Sequence, residues 1–308
     1  MPRTLPDYLK ITLKGIGMGA ADIVPGVSGG TIAFITNIYE ELIDSLKNID
    51  HRALPVLFKE GPISFWKYIN GNFLLALFIG VGISLVSLAN IIKYLLAEHP
   101  EMLWAFFFGL IIASTWVIAK RIKRIKIEHI ITFTLGVIIA FGITVLSPTN
   151  TTEAYWFIFV SGMIAICAMI LPGISGSFIL LLLGKYAYIV DSISELRIHI
   201  LALFASGCVI GLLTFSHVLS WMLKKYHDVT IALLTGFMLG SLNKVWPWKV
   251  TESWRINSHG DQVPLIQSNV MPQNYEGEAM LIPAISLAVL GFIVIIFIEK
   301  ISQKQQEA

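Results

Sequence analysis

Charged residues are scarce in this chain. Asp, Glu, Lys and Arg make up 14% of its 308 residues, whereas soluble domains usually carry roughly 25%. The chain is also 56% hydrophobic, with a mean hydropathy of +0.75. This composition excludes a soluble enzyme, a nucleic-acid-binding protein and a disordered protein. It predicts a polytopic membrane protein in contact with membrane lipids.

Cysteine and the common cofactor motifs are scarce as well. The two cysteines, Cys167 and Cys208, lie inside apolar runs, so no disulfide framework is expected. The sequence contains no Walker loop, zinc-binding helix or nucleotide fingerprint. We therefore expect no cofactor, no catalytic residue and no metal, and transport driven by ATP would need a partner protein.

Apolar runs are what the sequence has in abundance, and they fall into two matching groups. The runs cover residues 73–96, 102–119 and 130–146, and then 198–223, 229–242 and 280–298. Crossing a bilayer takes about 20 residues. Before each group lies a segment, 11–46 or 155–193, in which a Pro-Gly motif separates two short apolar stretches. We interpret each broken segment as a re-entrant helical hairpin, which needs surrounding protein or a polar cavity at that depth. Full crossings by both arms are the alternative and would give the same sidedness.

The distribution of Lys and Arg predicts the orientation of these segments. Basic residues cluster in the segment 120–127, at 224–225 and near the C-terminus. The positive-inside rule places these segments, the 47–70 linker and both termini in the cytoplasm. The polar segment 246–279 is then outside and is long enough to form a lid, with its tryptophans in an aromatic belt.

The two broken segments are related by an internal repeat. An offset of 147 positions aligns identical residues at Gly15, Ala21, Ile23, Pro25, Gly26, Ser28, Gly29, Ile32, Tyr39, Asp44 and Ser45. The first half (1–147) begins inside and the second (148–308) begins outside, which predicts an inverted-topology repeat of the kind that transporters use. The predicted fold is all-α, each half containing a re-entrant hairpin and three transmembrane helices. A duplicated scaffold, with glycines that only permit close helix packing, is the alternative.

The Pro-Gly motifs form two candidate binding tips. Proline suits the first turn of a helix, and glycine lets backbone amides approach a ligand. Helix N-termini bind anions through these amides and the positive end of the dipole. We therefore predict a phosphate site from two tips that meet near the midplane. The candidate residues are Pro25, Gly26, Ser28, Gly29, Gly30, Thr31, Pro172, Gly173, Ser175, Gly176 and Ser177.

Several further polar residues lie within or beside apolar segments. Asp22 precedes the first tip and either takes part in coupling to a proton or a cation such as sodium, or caps its own helix. For Glu41 and Asp44 we expect a solvated helix face. Lys185 is expected to extend to the interface, from which it could attract a phosphate. His217 lies within a predicted span and either bridges helices or transfers protons.

Together these strings resemble a known family. GMGAADIVPGVSGGTIAFITNIYE, ILPGISGS, FGLIIAS, GFMLGS and VWPW resemble the bacterial polyprenyl-phosphate transporters. The resemblance implies a transporter of undecaprenyl phosphate, the carrier lipid of envelope synthesis, in the bacterial cytoplasmic (inner) membrane. It implies roles for Asp22, Tyr39 and Glu40 beside the first tip, and the repeat adds Tyr186. Asn37 departs from the usual glycine of the family, which puts a close helix contact there in doubt.

Two alternatives remain. Undecaprenyl-pyrophosphate phosphatases have similar tips with the string Pro-Gly-x-Ser-Arg-Ser, in which arginine stabilises the transition state. Gly29 and Gly176 occupy those positions here, and neither broken segment contains arginine, which argues against an enzyme. A carrier for a small anion would use the same tips. An opening toward lipid would favour the lipid substrate, and a closed aqueous pore the small anion.

Overall fold

The computed structural model describes residues 3–24, 26–122, 124–149, 151–256 and 262–306. Within them the chain forms fifteen α-helices, two short 3-10 turns and one pair of strands. The helices of the first half are α1 Leu5–Ile23, α2 Gly29–Ile35, α3 Tyr39–Lys47, α4 Ala53–Glu60, α5 Pro62–Tyr68, α6 Gly71–Ser87, α7 Ala89–Glu98, α8 Pro100–Ala119 and α9 Ile127–Val145. Those of the second half are α10 Tyr155–Ile170, α11 Gly176–Leu182, α12 Tyr186–Ser194, α13 Ile198–Lys225, α14 His227–Gly240 and α15 Leu281–Gln306.

Four of the described helices are long and apolar enough to cross a membrane: α8, α9, α13 and α15. Two bent pairs raise that number to six if each is one span, α5 with α6 (69°) and α11 with α12 (107°). The prediction of a polytopic membrane protein built from helices is therefore confirmed. The predicted span 73–96 is divided at Leu88 into α6 and α7, and α14, with 14 residues, is shorter than a full crossing.

The first broken segment enters and leaves the bundle at one end. The guanidinium of Arg3, just before α1, donates to the Glu41 carboxylate in α3 at 2.6 Å. Asp44 of α3 lies 2.8 Å from Lys224 at the end of α13. The C-terminal ends of α8, α13 and α15 lie at this end of the bundle. We call it the basic face, because Lys and Arg residues cluster at these helix ends.

The second broken segment enters and leaves at the opposite end. Before α10, the amide of Thr149 donates to the Leu182 carbonyl at 3.0 Å, which brings the two ends of the segment together. From there α13 runs the length of the bundle to the basic face. We call this opposite end the hairpin face, because it carries the strand pair.

Four long helix pairs hold the bundle together: α1 with α6, α10 with α13, α8 with α15, and α9 with α14. Glycines line the contacts. In α6 a Cβ at Gly80 would overlap the Thr12 carbonyl oxygen of α1, and in α8 one at Gly109 would overlap the Ala288 carbonyl of α15. Such close backbone approach is characteristic of helix packing in membranes.

A pair of variants in α6 tests this packing. Gly80→Ala is expected to destabilise the protein by about 1–3 kcal/mol, because the methyl group cannot fit without separating α6 from α1. Gly82→Ala, in the same helix, meets no atom within 4 Å. It is expected to be neutral or stabilising by up to about 1 kcal/mol through helix propensity. Thermal unfolding in detergent measures both, and equal stabilities would contradict the packing described.

The predicted polar lid is an ordered β-hairpin among the described residues. Strand β1, Lys249–Ile256, pairs antiparallel with β2, Gln262–Asn269. Two tryptophans anchor the hairpin: Trp246 Nε1 donates to the Val270 carbonyl and Trp248 Nε1 to the Ala279 carbonyl, both at 2.8 Å. Trp248 is buried, so the expected aromatic belt is wrong for this residue, which packs inside the protein.

Candidate functional site

The two tips meet inside the bundle, although they are more than 140 residues apart in the chain. Ser28 Oγ donates to the carbonyl oxygens of Met169 (3.0 Å) and Leu171 (3.2 Å). The amide of Gly173 donates to Thr31 Oγ1 at 2.9 Å. These hydroxyls therefore join one tip to the other. Pro25 lies outside the described residues, whereas Pro172 begins the turn of the second tip.

Each tip turns on a glycine with a left-handed backbone. Gly26 has φ +87° and Gly173 has φ +86°, a region that side chains disfavour. In each tip the same short backbone bond follows, from Val27 N to Val24 O and from Ile174 N to Leu171 O. The two tips thus share one local geometry.

The first tip is capped from within the protein. Asp22 Oδ1 accepts the amide of Gly29 at 2.6 Å, and Ser28 Oγ accepts that of Gly30 at 3.1 Å. Asp22 therefore makes the contact of a helix cap. Two of the amides that the sequence analysis offers to an anion are already hydrogen-bonded.

The second tip lacks such a cap. Met169 occupies the position that the repeat aligns with Asp22. Ser175 precedes α11 without a side-chain bond to its backbone, and its hydroxyl lies 2.9 Å from that of Ser177. Gly176, the first residue of α11, packs against the Ala165 carbonyl.

A small cavity of about 10 Å³ lies where the tips meet. Its walls include Gly26, Gly173, Ser175, Phe178 and Lys244. Through Phe178 and Lys244 it adjoins a cavity of about 300 Å³ beneath the β-hairpin. The two cavities therefore share part of their walls on the side of the hairpin face.

Two lysines that the sequence analysis missed line this larger cavity. Lys244 Nζ lies 4.2 Å from the centre of the Phe178 ring, and Lys249 Nζ lies 3.6 Å from that of Trp104. The ammonium of Lys249 donates to the Lys244 carbonyl at 2.6 Å. A signal was available, because Lys249 lies in the segment 246–279, which the positive-inside rule assigns to the outside, and Lys244 lies just before that segment.

On the basic face, polar contacts join the first half to the second. Asp44 of α3 accepts from Ser220 Oγ of α13 at 2.6 Å and lies 2.8 Å from Lys224 Nζ. His217 Nε2 lies 3.7 Å from Asp50. We call the contacts of Asp44 with Ser220 and Lys224 the basic-face latch. The Asp44 side chain is 41% exposed, as expected for a solvated face, and its carboxylate also joins α3 to α13.

A half-exposed ion pair lies beside the latch. His227 Nε2 is 3.1 Å from Glu40. Hydrogen bonds to Asp228 and then to Glu40 raise the pKa of His227 above its usual 6.5. Protonated His227 therefore stabilises the folded protein fully below pH 6.5, and this contribution is lost as pH rises through the raised pKa. Solvent screening keeps it to about 0.2–1 kcal/mol.

Comparison with known proteins identifies the family. A family described as VCA0040-like, undecaprenyl phosphate translocase-like, matches residues 18–263. A polyprenyl-phosphate transporter of Vibrio cholerae is 52% identical over 88% of this chain and 88% of its own. One of Staphylococcus aureus is 35% identical over 76% of this chain and 85% of its own. The chain belongs to this family. No solved structure matches the chain significantly.

The backbone accounts for the departure from the usual glycine of the family at position 37. Asn37 has φ +58°, and Gly184, its partner in the repeat, has φ +63°. Asparagine is one of the few residues besides glycine that tolerate this conformation. Both positions are exposed, in line with the doubt about a close helix contact, and what the two positions share is a left-handed turn.

Of the remaining candidates, Tyr39 lies beside the tips. Tyr39 is buried, and its hydroxyl donates to the Ile170 carbonyl at 3.2 Å. Glu40 and His217 lie on the basic face. Tyr186 begins α12 and is half-buried. Lys185 is 2% exposed and donates to the Thr151 carbonyl at 3.0 Å, so the expectation that it extends to the interface is wrong.

Proposed function

We propose that this protein moves polyprenyl phosphate, in bacteria undecaprenyl phosphate, across the cytoplasmic membrane so that the carrier lipid can be reused. The observation that carries this proposal is the 52% identity, over 88% of both chains, to a protein named polyprenyl-phosphate transporter. The protein acts as a transporter and not as an enzyme. This distinction is supported by the tips, which lack the arginine of the phosphatase string at Gly29 and Gly176.

The two halves act as an inverted repeat. Backbone geometry supports this: the left-handed pairs Gly26 with Gly173 and Asn37 with Gly184 each follow the 147-residue offset. Asn70 (φ +55°) and Leu196 (φ +53°) match at the later offset of 126. Packing supports it too, because α1 against α6 corresponds to α10 against α13, and α8 against α15 corresponds to α14 against α9.

Transport proceeds by alternating access around the paired tips. The basic face is cytoplasmic, as the positive-inside rule requires, and in this conformation the latch closes it. The cavity beneath the β-hairpin opens the site to the opposite side. Rocking of one half against the other then exposes the headgroup to the cytoplasm. The tip residues bind the phosphate during this passage, and Asp22 is the candidate for coupling to a proton or sodium ion.

The surroundings of the cavity favour a lipid substrate over a small anion. The end of α9 forms part of its wall, where Val145 and Leu146 are 57% and 60% exposed. Moving an unshielded phosphate group through the hydrocarbon of the bilayer would cost tens of kcal/mol in the Born limit, roughly as for any isolated ion. A prenyl chain, in contrast, can remain in lipid beside α9 while only the headgroup enters the protein.

Purified protein in liposomes tests the proposal. Labelled undecaprenyl phosphate or its pyrophosphate is supplied, and leaflet accessibility and released inorganic phosphate are measured in the same sample. We expect movement of the monophosphate without phosphate release. Release from the pyrophosphate would make the protein an enzyme, and transport of inorganic phosphate alone would make it a small-anion carrier. Imposed pH or sodium gradients then identify the coupling ion.

A further inference from the structure

We infer that Lys244 and Lys249 form the entry site for the substrate headgroup, binding a phosphate monoester carried on a prenyl chain before it reaches the tips. This inference rests on the proposed function and adds a site that the Pro-Gly motifs do not contain. Both lysines line the cavity beneath the β-hairpin.

Neither lysine has a counter-ion in the part of the chain that the structure describes. No carboxylate there lies within 4.0 Å of Lys244 or Lys249, and the contacts of both ammonium groups are with aromatic rings and one carbonyl oxygen. Glu252 also lines the cavity, but its carboxylate accepts from Ser268 Oγ. Two lysines that no described carboxylate neutralises within 4.0 Å, with one carboxylate elsewhere in the wall, give the cavity a net positive charge that suits an anion.

The charge balance of Lys249 supports an anionic ligand. Burial, and then the nearby Lys244, lower the pKa of Lys249 well below its usual 10.5. A buried ammonium is costly unless it is paired. A bound phosphate would supply a counter-charge for both lysines and would favour their charged forms.

The position of Lys244 connects the cavity to the tips. Its side chain lies against the first tip, where a Cβ on Gly26 would be 2.6 Å from Lys244 Cγ. It also lines the small cavity between the tips together with Gly173 and Ser175. One flexible side chain therefore reaches both compartments and can accompany a phosphate from one to the other.

The cavity also accommodates the start of a prenyl chain. Beyond the lysines its wall contains Val145 and Leu146 at the end of α9, both exposed. Much of the length of α9 is also exposed on the outside of the bundle. A headgroup on the lysines thus leaves its chain beside an apolar helix, a path that a free phosphate does not need.

Binding of farnesyl phosphate to the full-length protein in detergent tests the inference, with farnesol and inorganic phosphate as comparison probes. We expect farnesyl phosphate to bind most tightly. We expect its affinity to fall at least about tenfold in Lys244→Met and further in the double variant with Lys249→Met, since each variant removes one buried charge partner. Lys244→Arg keeps the charge and retains most of the affinity. Lys93→Met removes an exposed lysine of α7 and leaves the affinity unchanged.

A second measurement avoids dependence on the stability of the variants. In the wild-type protein, farnesyl phosphate is expected to protect Lys244 and Lys249 from an amine-acetylating reagent while Lys93 stays reactive, as read by mass spectrometry. Unchanged affinity in a folded double variant, or absent protection, would overturn the entry site while leaving transport intact. Equal affinity for inorganic phosphate would overturn its assignment to a lipid. Failure of wild-type protein to move undecaprenyl phosphate would instead refute the proposed function.

Discussion

Gly173→Ala is expected to abolish transport and to destabilise the protein. The residue has φ +86°, where a side chain costs about 1–2 kcal/mol. The added Cβ would also lie 2.9 Å from the Phe237 carbonyl oxygen and 3.0 Å from Met238 Cα, and overpacking of this kind adds about 1–3 kcal/mol. Because α14 cannot yield at its backbone, the second tip must move. Proteoliposome transport and thermal unfolding measure the two effects.

Two related variants separate strain from function. Gly26→Ala carries comparable strain at φ +87°, but its Cβ meets the flexible Lys244 side chain. We expect it to be less destabilising than Gly173→Ala and still to lose transport, because it displaces Lys244. Gly61→Ala has φ +90° in the linker and meets nothing within 4 Å, so it keeps the strain and retains transport. If Gly26→Ala and Gly173→Ala retain as much transport as Gly61→Ala, the tips have no role in transport.

Hydropathy and charge were sufficient to predict most of the helices. Five of the six apolar runs correspond to single helices, since a bilayer demands continuous apolar segments. The remaining run, 73–96, divides at Leu88, where no proline or glycine marks the break. The β-hairpin within the segment 246–279 was missed because its two eight-residue strands lie in a segment without a long apolar run, and its anchoring comes from tryptophans that bind distant carbonyls.

The site was predictable in its position and not in its chemistry. The repeated Pro-Gly-x-Ser-Gly strings located the tips, whereas the roles of their polar groups depend on contacts between the halves. Ser28 and Thr31 join one tip to the other, and Asp22 occupies an amide that the motif offers to an anion. Lys244 and Lys249 lie outside any repeated string, so only the fold could bring them to the tips.

Asp44→Asn is expected to open the basic face. The carboxylate accepts from Ser220 and pairs with Lys224 across two helices. The Asp44 and Lys224 side chains are 41% and 60% exposed, so solvent screening limits the pair to about 0.2–1 kcal/mol. Since about 1.4 kcal/mol corresponds to a tenfold change in an equilibrium constant, we expect labelling by a membrane-impermeant thiol reagent to accelerate by about two- to fivefold. The label is placed at a cysteine replacing Leu46, a buried residue of α3, in a background without Cys167 and Cys208.

The controls follow from the pairing of the halves. Glu128→Gln removes an exposed carboxylate that pairs with Lys126 on the same face, so labelling stays unchanged. Exchanging Asp44 and Lys224 restores the pair and the slow labelling.

Asp191, which the repeat aligns with Asp44, makes no ion pair in the described part of the chain. If the halves exchange conformations, Asp191 is engaged only in the opposite state, and Asp191→Asn slows labelling where Asp44→Asn accelerates it. Acceleration by both variants would mean that the two carboxylates stabilise a single fixed structure and that the halves do not alternate.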